Sequence, residues 1–234
     1  MIEVITSDAI ATITLADCTP LSLHDPVLGL ALRDAVRDSA DSDGVKAIVI
    51  RASGENFCSD VVHAKQSDET SLDNYAAASG LYQNLCFCKK VVITAVQGQC
   101  AGAGSLLVLC SDLTVVASDA TFASPFHSLP EANLVLAALT MRLNRAKSWM
   151  LGGHALSARE AHDAGLINHI VEPDALDAMA RKMARAVTRM PLDGIAMSKI
   201  NVETSLDAEG VGREFDMAGF YAGSLRRVHD EAAS

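Results

Sequence analysis

The sequence predicts an α/β fold over residues 1–171 with a mostly helical segment after it. Two patterns carry that prediction. Val45-Lys46-Ala47-Ile48-Val49-Ile50 and the run over 91–96 are short and near-continuously apolar, as expected of parallel strands covered on both faces. Stretches with helical spacing of apolar residues lie between such runs, so strands and helices alternate along the chain. Composition agrees: of 234 residues, 50% are hydrophobic and 21% charged, which describes a folding chain rather than a disordered one. A chain of this length buries roughly 70% of its extended surface, so it needs neither disulfides nor metals as staples. Aromatic residues are only 4%, which leaves Ala, Val, Leu and Ile to build the core.

Each element has a local reason. Ile10-Ala11-Thr12-Ile13-Thr14-Leu15 alternates with period two and reads as a half-buried strand paired with residues 1–7. Asp25 suits a helix N-cap and Pro26 the first turn, opening a helix that runs to residue 40. The strand at 45–50 leads into a loop at 53–64, and a helix over 72–86 follows. After the strand at 91–96 come the small residues 97–104, a helical stretch over 105–110 and a strand at 113–117. From Pro130 onward the pattern turns helical. Ser157-Ala158-Arg159-Glu160 is a capping box, and its short helix stops at Gly165. A strand at 166–171, a helix over 173–189 and a charged helical segment over 194–234 complete the chain. No sequence repeat is present.

Charge and cysteine usage narrow the function classes. Nineteen basic and 29 acidic side chains give a net charge of −10, with a pI of about 5.1. Nucleic-acid binding, which wants a basic field, is disfavoured, whereas an anionic ligand can still be held by backbone N–H groups. Apolar stretches such as 133–139 are too short to span a bilayer, and Met1-Ile2-Glu3 places an acid where a signal peptide is basic. A soluble, cytoplasmic protein is expected, with no nucleic-acid partner and no membrane span. The cysteines are Cys18, Cys58, Cys86, Cys88, Cys100 and Cys110, with no C-x-x-C spacing and no histidine at a zinc-finger interval. They read as small buried residues of a reducing compartment, and no metal site is expected.

The chemistry concentrates in two loops that follow buried strands. Gln97-Gly98-Gln99-Cys100-Ala101-Gly102-Ala103-Gly104 has almost no side-chain volume and precedes a helix, so a ligand can lie against its backbone. Close helix–sheet packing is the alternative reading. The segment lacks the Lys-Ser or Lys-Thr of a phosphate loop and the G-x-G-x-x-G spacing of a dinucleotide site. Arg51-Ala52-Ser53-Gly54-Glu55-Asn56-Phe57-Cys58-Ser59-Asp60-Val61 is the second loop. Both loops follow parallel-type strands, which puts them on the carboxyl edge of the sheet, where α/β folds bind ligands. Two facing N–H groups there make an oxyanion hole.

These segments resemble the enoyl-CoA hydratase/isomerase (crotonase) superfamily. Ala47-Ile48-Val49-Ile50 leading to Asn56-Phe57-Cys58-Ser59 is similar to its first signature, and residues 93–104 to its second. Ser111-Asp112-Leu113, Ala117-Ser118-Asp119-Ala120-Thr121-Phe122, Trp149-Met150-Leu151-Gly152-Gly153 and Ser157 through Ile167 continue in register, so the resemblance covers residues 1–215. It implies a spiral of ββα turns over 1–171, a shortened helical oligomerisation segment over 172–234, and a homotrimer or dimer of trimers. The ligand it implies is an acyl-CoA thioester, with no further cofactor. By motif position the oxyanion-hole N–H groups belong to Val61 and Ala103, and the thioester lies against Cys58, Val61, Val62, His63, Ala64 and Ala103. Val61 is bulkier than the family's usual small residue and crowds the thioester.

Departures from the family pattern shape the expected activity. Family hydratases carry one glutamate two residues after the helix-opening glycines and another after a phenylalanine-x-x-proline turn. By this alignment those positions are Leu106 and Phe126, which cannot transfer a proton. Ordinary two-carboxylate hydration is therefore not expected. The candidate replacement bases are His127 and Glu131, with His63 as a further histidine in the first loop. Glu131 after Pro130 also reads as a helix cap. Ser59 and Ser105 lack a visible base partner, and Lys65, Lys89 and Lys90 read as solvated lysines rather than phosphate ligands. Two functions stay open: an enzyme that holds a thioester enolate with a non-standard base, and a protein that binds acyl-CoA or an acyl carrier without turnover.

Overall fold

Hydrogen bonding sorts the strands into two sheets in the computed structural model, which describes residues 2–15, 26–58, 80–125, 133–217 and 220. The large sheet is built from β1 (Ile2–Ser7), β2 (Ile10–Leu15), β3 (Ala47–Ala52), β4 (Val91–Val96), β6 (Leu113–Ala117) and β9 (His169–Val171), in that spatial order. β1 and β2 form an antiparallel hairpin and every later pair is parallel. The small sheet holds β5 (Gln99–Cys100), β7 (Thr121–Phe122) and β8 (Leu156–Ser157), and Cys58 joins it through a parallel bridge to Cys100. The chain thus alternates: β3 then Cys58, β4 then β5, β6 then β7. Each turn adds one strand to each sheet, the expected spiral.

Helices close the turns. They are α1 (Pro26–Asp41), α2 (Leu81–Cys86), α3 (Ala103–Cys110), α4 (Leu134–Thr140), α5 (Leu143–Gly152), α6 (Ala158–Ala164), α7 (Leu176–Thr188) and α8 (Leu192–Ala208), and residues 211–217 are also helical. The predicted helix over 72–86 is described only from Leu81, and the Asp25 cap lies outside the described residues. β3 begins and ends two residues later than the apolar run, because Arg51 stays in the ladder opposite Thr14 and pairs with Asp177 at 2.6 Å. The strand expected at 166–171 shortens to β9, since Leu166 and Ile167 turn into the core. Helix α3 starts at Ala103 rather than Ser105.

The near-continuous apolar strands are explained by two cores. Ile48, Ile50, Val92, Val96 and Val116 face the spiral interior with Leu32 of α1, Leu85 of α2 and all of α3's large side chains. Their neighbours Ala47, Val49, Ile93, Ala95, Val115 and Ala117 face the other way, onto Leu176, Ala180, Ala184 and Val187 of α7. That helical stripe covers the second face, so period-two alternation disappears from the sequence.

Polar contacts fix the turns. The Ser157 hydroxyl accepts from Glu160 N–H while the Glu160 carboxylate accepts from Ser157 N–H, and Gly165 ends α6 with φ 92°. Lys199 of α8 is buried and donates to Asp112 Oδ1 at 2.5 Å, while Asp112 Oδ2 accepts from Val92 N–H at 2.8 Å. Burial holds the Asp112 carboxyl above its ordinary range, and Lys199 opposes that rise. Among the described residues, no helix is long and apolar enough to cross a membrane.

Candidate active site

The carboxyl ends of β3 and β4 lie side by side, and the loops that leave them are laced together. Phe57 N–H donates to the Gln97 carbonyl at 2.9 Å and the Gln99 carbonyl at 3.1 Å; Cys58 N–H also reaches Gln99, at 3.1 Å. In return Ala101 N–H donates to the Cys58 carbonyl at 2.8 Å. Two side chains complete the lacing: Gln97 Nε2 donates to the Ala52 and Gly54 carbonyls, and Asn56 Oδ1 accepts from Gln99 N–H at 2.8 Å. Gly98 is required here. Its φ is 57°, and a Cβ would stand 2.3 Å from the Glu55 carbonyl oxygen.

The small-residue segment then turns into α3 through Gly102, at φ 48°. Ala103 opens the helix and is fully buried. Gly104 is where the helix meets the first loop most closely, because a Cβ there would lie 2.5 Å from Cys58 Cβ. The backbone of α3's first turn, with the positive end of its dipole, therefore faces the segment that leads into Ser59 and Val61. The close-packing reading of 97–104 is the one observed: the glycines let the chain approach Glu55, Asn56 and Cys58.

A third segment reaches the same place. Ala123 N–H donates to the Cys100 carbonyl at 2.8 Å, and the buried Ser105 hydroxyl lies 2.6 Å from the Ala123 carbonyl and 3.1 Å from that of Cys100. Behind it, Trp149 Nε1 donates to the Phe122 carbonyl and the Ser124 hydroxyl to that of Met150, both at 3.1 Å. Ser105 is thus structural, a bolt between α3 and the chain entering 126–132. The far end of that stretch is held as tightly. Asn133 Oδ1 caps α4 through Leu136 N–H at 2.8 Å, its Nδ2 donates to the Val211 carbonyl, and Glu214 accepts from Leu134 and Val135 N–H. Sequence reading missed Asn133 and Glu214; an Asn-Leu step before an apolar run was the available signal for the cap.

Placement of the expected site residues is uneven. Cys58 and Ala103 are brought together. Val61, Val62, His63, Ala64, Phe126, His127 and Glu131, together with Ser59 and Lys65, lie outside the described residues. Leu106 is fully buried in the apolar interior. Lys89 and Lys90 stand before β4, at the opposite end of the sheet from the loops; Lys89 pairs with Asp41 at 2.8 Å, and Lys90 is buried, which lowers its pKa. Among the described residues, no three His, Cys, Asp or Glu side chains gather as a metal site.

The sequence profile of the family described as Enoyl-CoA hydratase/isomerase matches residues 6–222. A 1,2-epoxyphenylacetyl-CoA isomerase of Escherichia coli strain K12 is 27% identical over 224 residues, covering 86% of this chain and 84% of that protein. A 4-chlorobenzoyl coenzyme A dehalogenase of Arthrobacter sp. is 24% identical, covering 85% of this chain and 77% of that protein. The crystal structure of a probable enoyl-CoA hydratase from Mycobacterium thermoresistibile superposes with a TM-score of 0.81 at 26% identity, over 100% of this chain and 99% of that one.

Proposed function

The chain belongs to the enoyl-CoA hydratase/isomerase family, and from that premise we propose that it binds an acyl-CoA thioester and stabilises its enolate without the two carboxylates of a hydratase. The thioester carbonyl would accept from the backbone N–H groups of Val61 and Ala103, an interaction of the kind worth roughly 3–4 kcal/mol of barrier per donor. The observation that carries the departure from hydratase chemistry is Leu106. It occupies the third position after Ala103 on α3, fully buried among apolar side chains, where the family alignment puts a hydratase's first glutamate. A leucine there supplies packing and no proton transfer.

The base is then assigned to the stretch between Pro125 and Asn133, whose two ends are fixed by hydrogen bonds to α3, α5 and the C-terminal helical segment. His127 is the first candidate, since an imidazole is a competent base near neutral pH, and Glu131 is the second. The names of the relatives support a thioester ligand without fixing the reaction: an isomerase, a dehalogenase and a probable hydratase all carry CoA in their descriptions. Residues 172–234 are assigned to assembly as a homotrimer or dimer of trimers, supported by the exposed apolar side chains Met197, Ile200 and Val202 of α8.

The test is exchange of the α-proton. The protein is incubated with saturated and unsaturated acyl-CoAs in heavy water, and deuterium uptake is read by mass spectrometry. Uptake that falls in His127→Ala or Glu131→Gln supports the enolate reading and identifies the base. The burial of Leu106 favours one competing reading, a binder without turnover; saturable acyl-CoA binding with neither uptake nor product would establish it instead.

A further inference from the structure

Two buried cysteines occupy equivalent places in the two laced loops. Cys58 stands three residues before Val61, and Cys100 stands three before Ala103. Backbone bonds set them side by side: Cys58 N–H donates to the Gln99 carbonyl, and Ala101 N–H donates to the Cys58 carbonyl, which makes Cys100 the direct partner of Cys58 in a parallel bridge. Partners in such a bridge project to one face. That face is the first turn of α3, where the position of a Cβ on Gly104 lies 3.3 Å from Cys100 Sγ and 3.4 Å from Cys58 Sγ. Hydrogen-bonded strands run about 4.8 Å apart, inside the Cα separation of about 4.4–6.8 Å that a disulfide spans.

The pair differs from Cys110 in its place along α3. Cys110 is the last residue of α3, at the negative end of the helix dipole. Cys58 and Cys100 lie against the opposite end, where the dipole presents positive charge to both sulfurs, and the Ser105 hydroxyl lies 3.9 Å from Cys100 Sγ. Each cysteine is only 1% exposed, so a bulky oxidant such as glutathione disulfide is excluded, and a small one reaches the pair when the loops open locally.

We propose that Cys58 and Cys100 form a reversible disulfide, with hydrogen peroxide as the oxidant. One thiolate attacks a peroxide oxygen and breaks the O–O bond, giving a sulfenic acid and a hydroxide that takes up the released thiol proton. The second thiolate attacks the sulfenic sulfur, forms the S–S bond and expels hydroxide, which is protonated to water. The two thiols lose two electrons and two protons, and one peroxide becomes two waters. The bond ties together the chains leading to both oxyanion donors and so stiffens or misaligns the pair. That consequence rests on the function proposed above; the disulfide itself does not.

Peptide mapping of the full chain tests it. The reduced protein is treated with graded hydrogen peroxide, quenched, alkylated and mapped by mass spectrometry, with Cys110→Ser as a control because Cys100 and Cys110 share a tryptic peptide. The expected result is a Cys58–Cys100 linked peptide with a mass loss of two hydrogens, reversed by dithiothreitol. Both thiols should be lost together, in step with the appearance of the linked peptide. Overturning results are a link between other cysteines, conversion of both to sulfinic acid without pairing, or a link that forms only in urea. Loss of the link in Cys100→Ser is the expected confirmation, and the wild-type map decides the matter if that variant does not fold.

Discussion

At the scale of single residues, the candidate site is organised by contacts that permit no substitution. Gly98 combines a positive φ with a backbone oxygen 2.3 Å from where its Cβ would be, and neither neighbouring loop can move without breaking the lacing. Gly98→Ala should therefore destabilise the fold by about 3 kcal/mol, read as a lower urea midpoint at unchanged slope. Gly152→Ala is the matched control with a much smaller shift, since its nearest contact is the His154 ring at 3.3 Å, which can swing aside. Buried charge sets a second residue-scale expectation. Glu203 Oε1 is buried with no hydrogen-bond partner among the described residues, and burial raises its carboxyl above the ordinary 4.5. A carboxyl raised in the folded state keeps its proton at pH values where the unfolded chain has lost it. Stability from this group is thus full below the ordinary value and falls as pH rises through the folded one. Glu203→Gln should raise the urea midpoint at neutral pH, with the gain shrinking to nothing on acidification. A lower midpoint at neutral pH would mean that the carboxylate is paired.

Among the elements, α4 depends most on distant sequence. Its N-terminus is capped by Asn133 and clamped by Glu214, about 80 positions away, so the C-terminal helical segment fixes the exit of the stretch that carries His127 and Glu131. Asn133→Ala removes both the cap acceptor and the bond to the Val211 carbonyl, and should cost about 2 kcal/mol in urea unfolding. Asn133→Ser keeps a side-chain acceptor for the cap and loses the bond to Val211, so it should recover part of that loss. Such long-range polar contacts leave no local mark, and they divide what the sequence reveals from what it does not. β3 and β4 were legible because two cores force apolar residues onto both faces. Their ends were not: Arg51 stays in the β3 ladder opposite Thr14, with Asp177 of α7 beside it. The two-residue strands β5, β7 and β8 are too short to show any period, so the small sheet followed from the family resemblance alone. In the site, the glycine-rich run announced a close approach without saying to what, and its partners are Glu55, Asn56 and Cys58. Nothing local marks Lys199 as a buried lysine, yet it is buried against Asp112.

For the whole molecule, the deciding feature is a helix with apolar residues on more than one side. Ile195 of α8 joins the core beneath the large sheet, while Met197, Ile200 and Val202 of the same helix are each about half exposed. Large exposed apolar side chains grouped on one helix mark a surface for a partner to cover. Met190 just before α8 and Met217 after it are likewise exposed, so the apolar surface extends along the C-terminal part of the chain. The net charge of −10 opposes association, so a stable assembly needs a patch where apolar burial outweighs that repulsion, and these side chains offer one. Sedimentation at neutral pH should give a species of three, or twice three, times the 24.6 kDa chain. The melting temperature should rise with protein concentration, because association stabilises only the folded protomer. Met197→Glu combined with Ile200→Glu places two acids on the patch and should yield a protomer-sized species whose melting no longer depends on concentration. If the parent itself sediments as one chain, residues 172–234 do not serve self-assembly, and the exposed apolar side chains of α8 belong to a different partner.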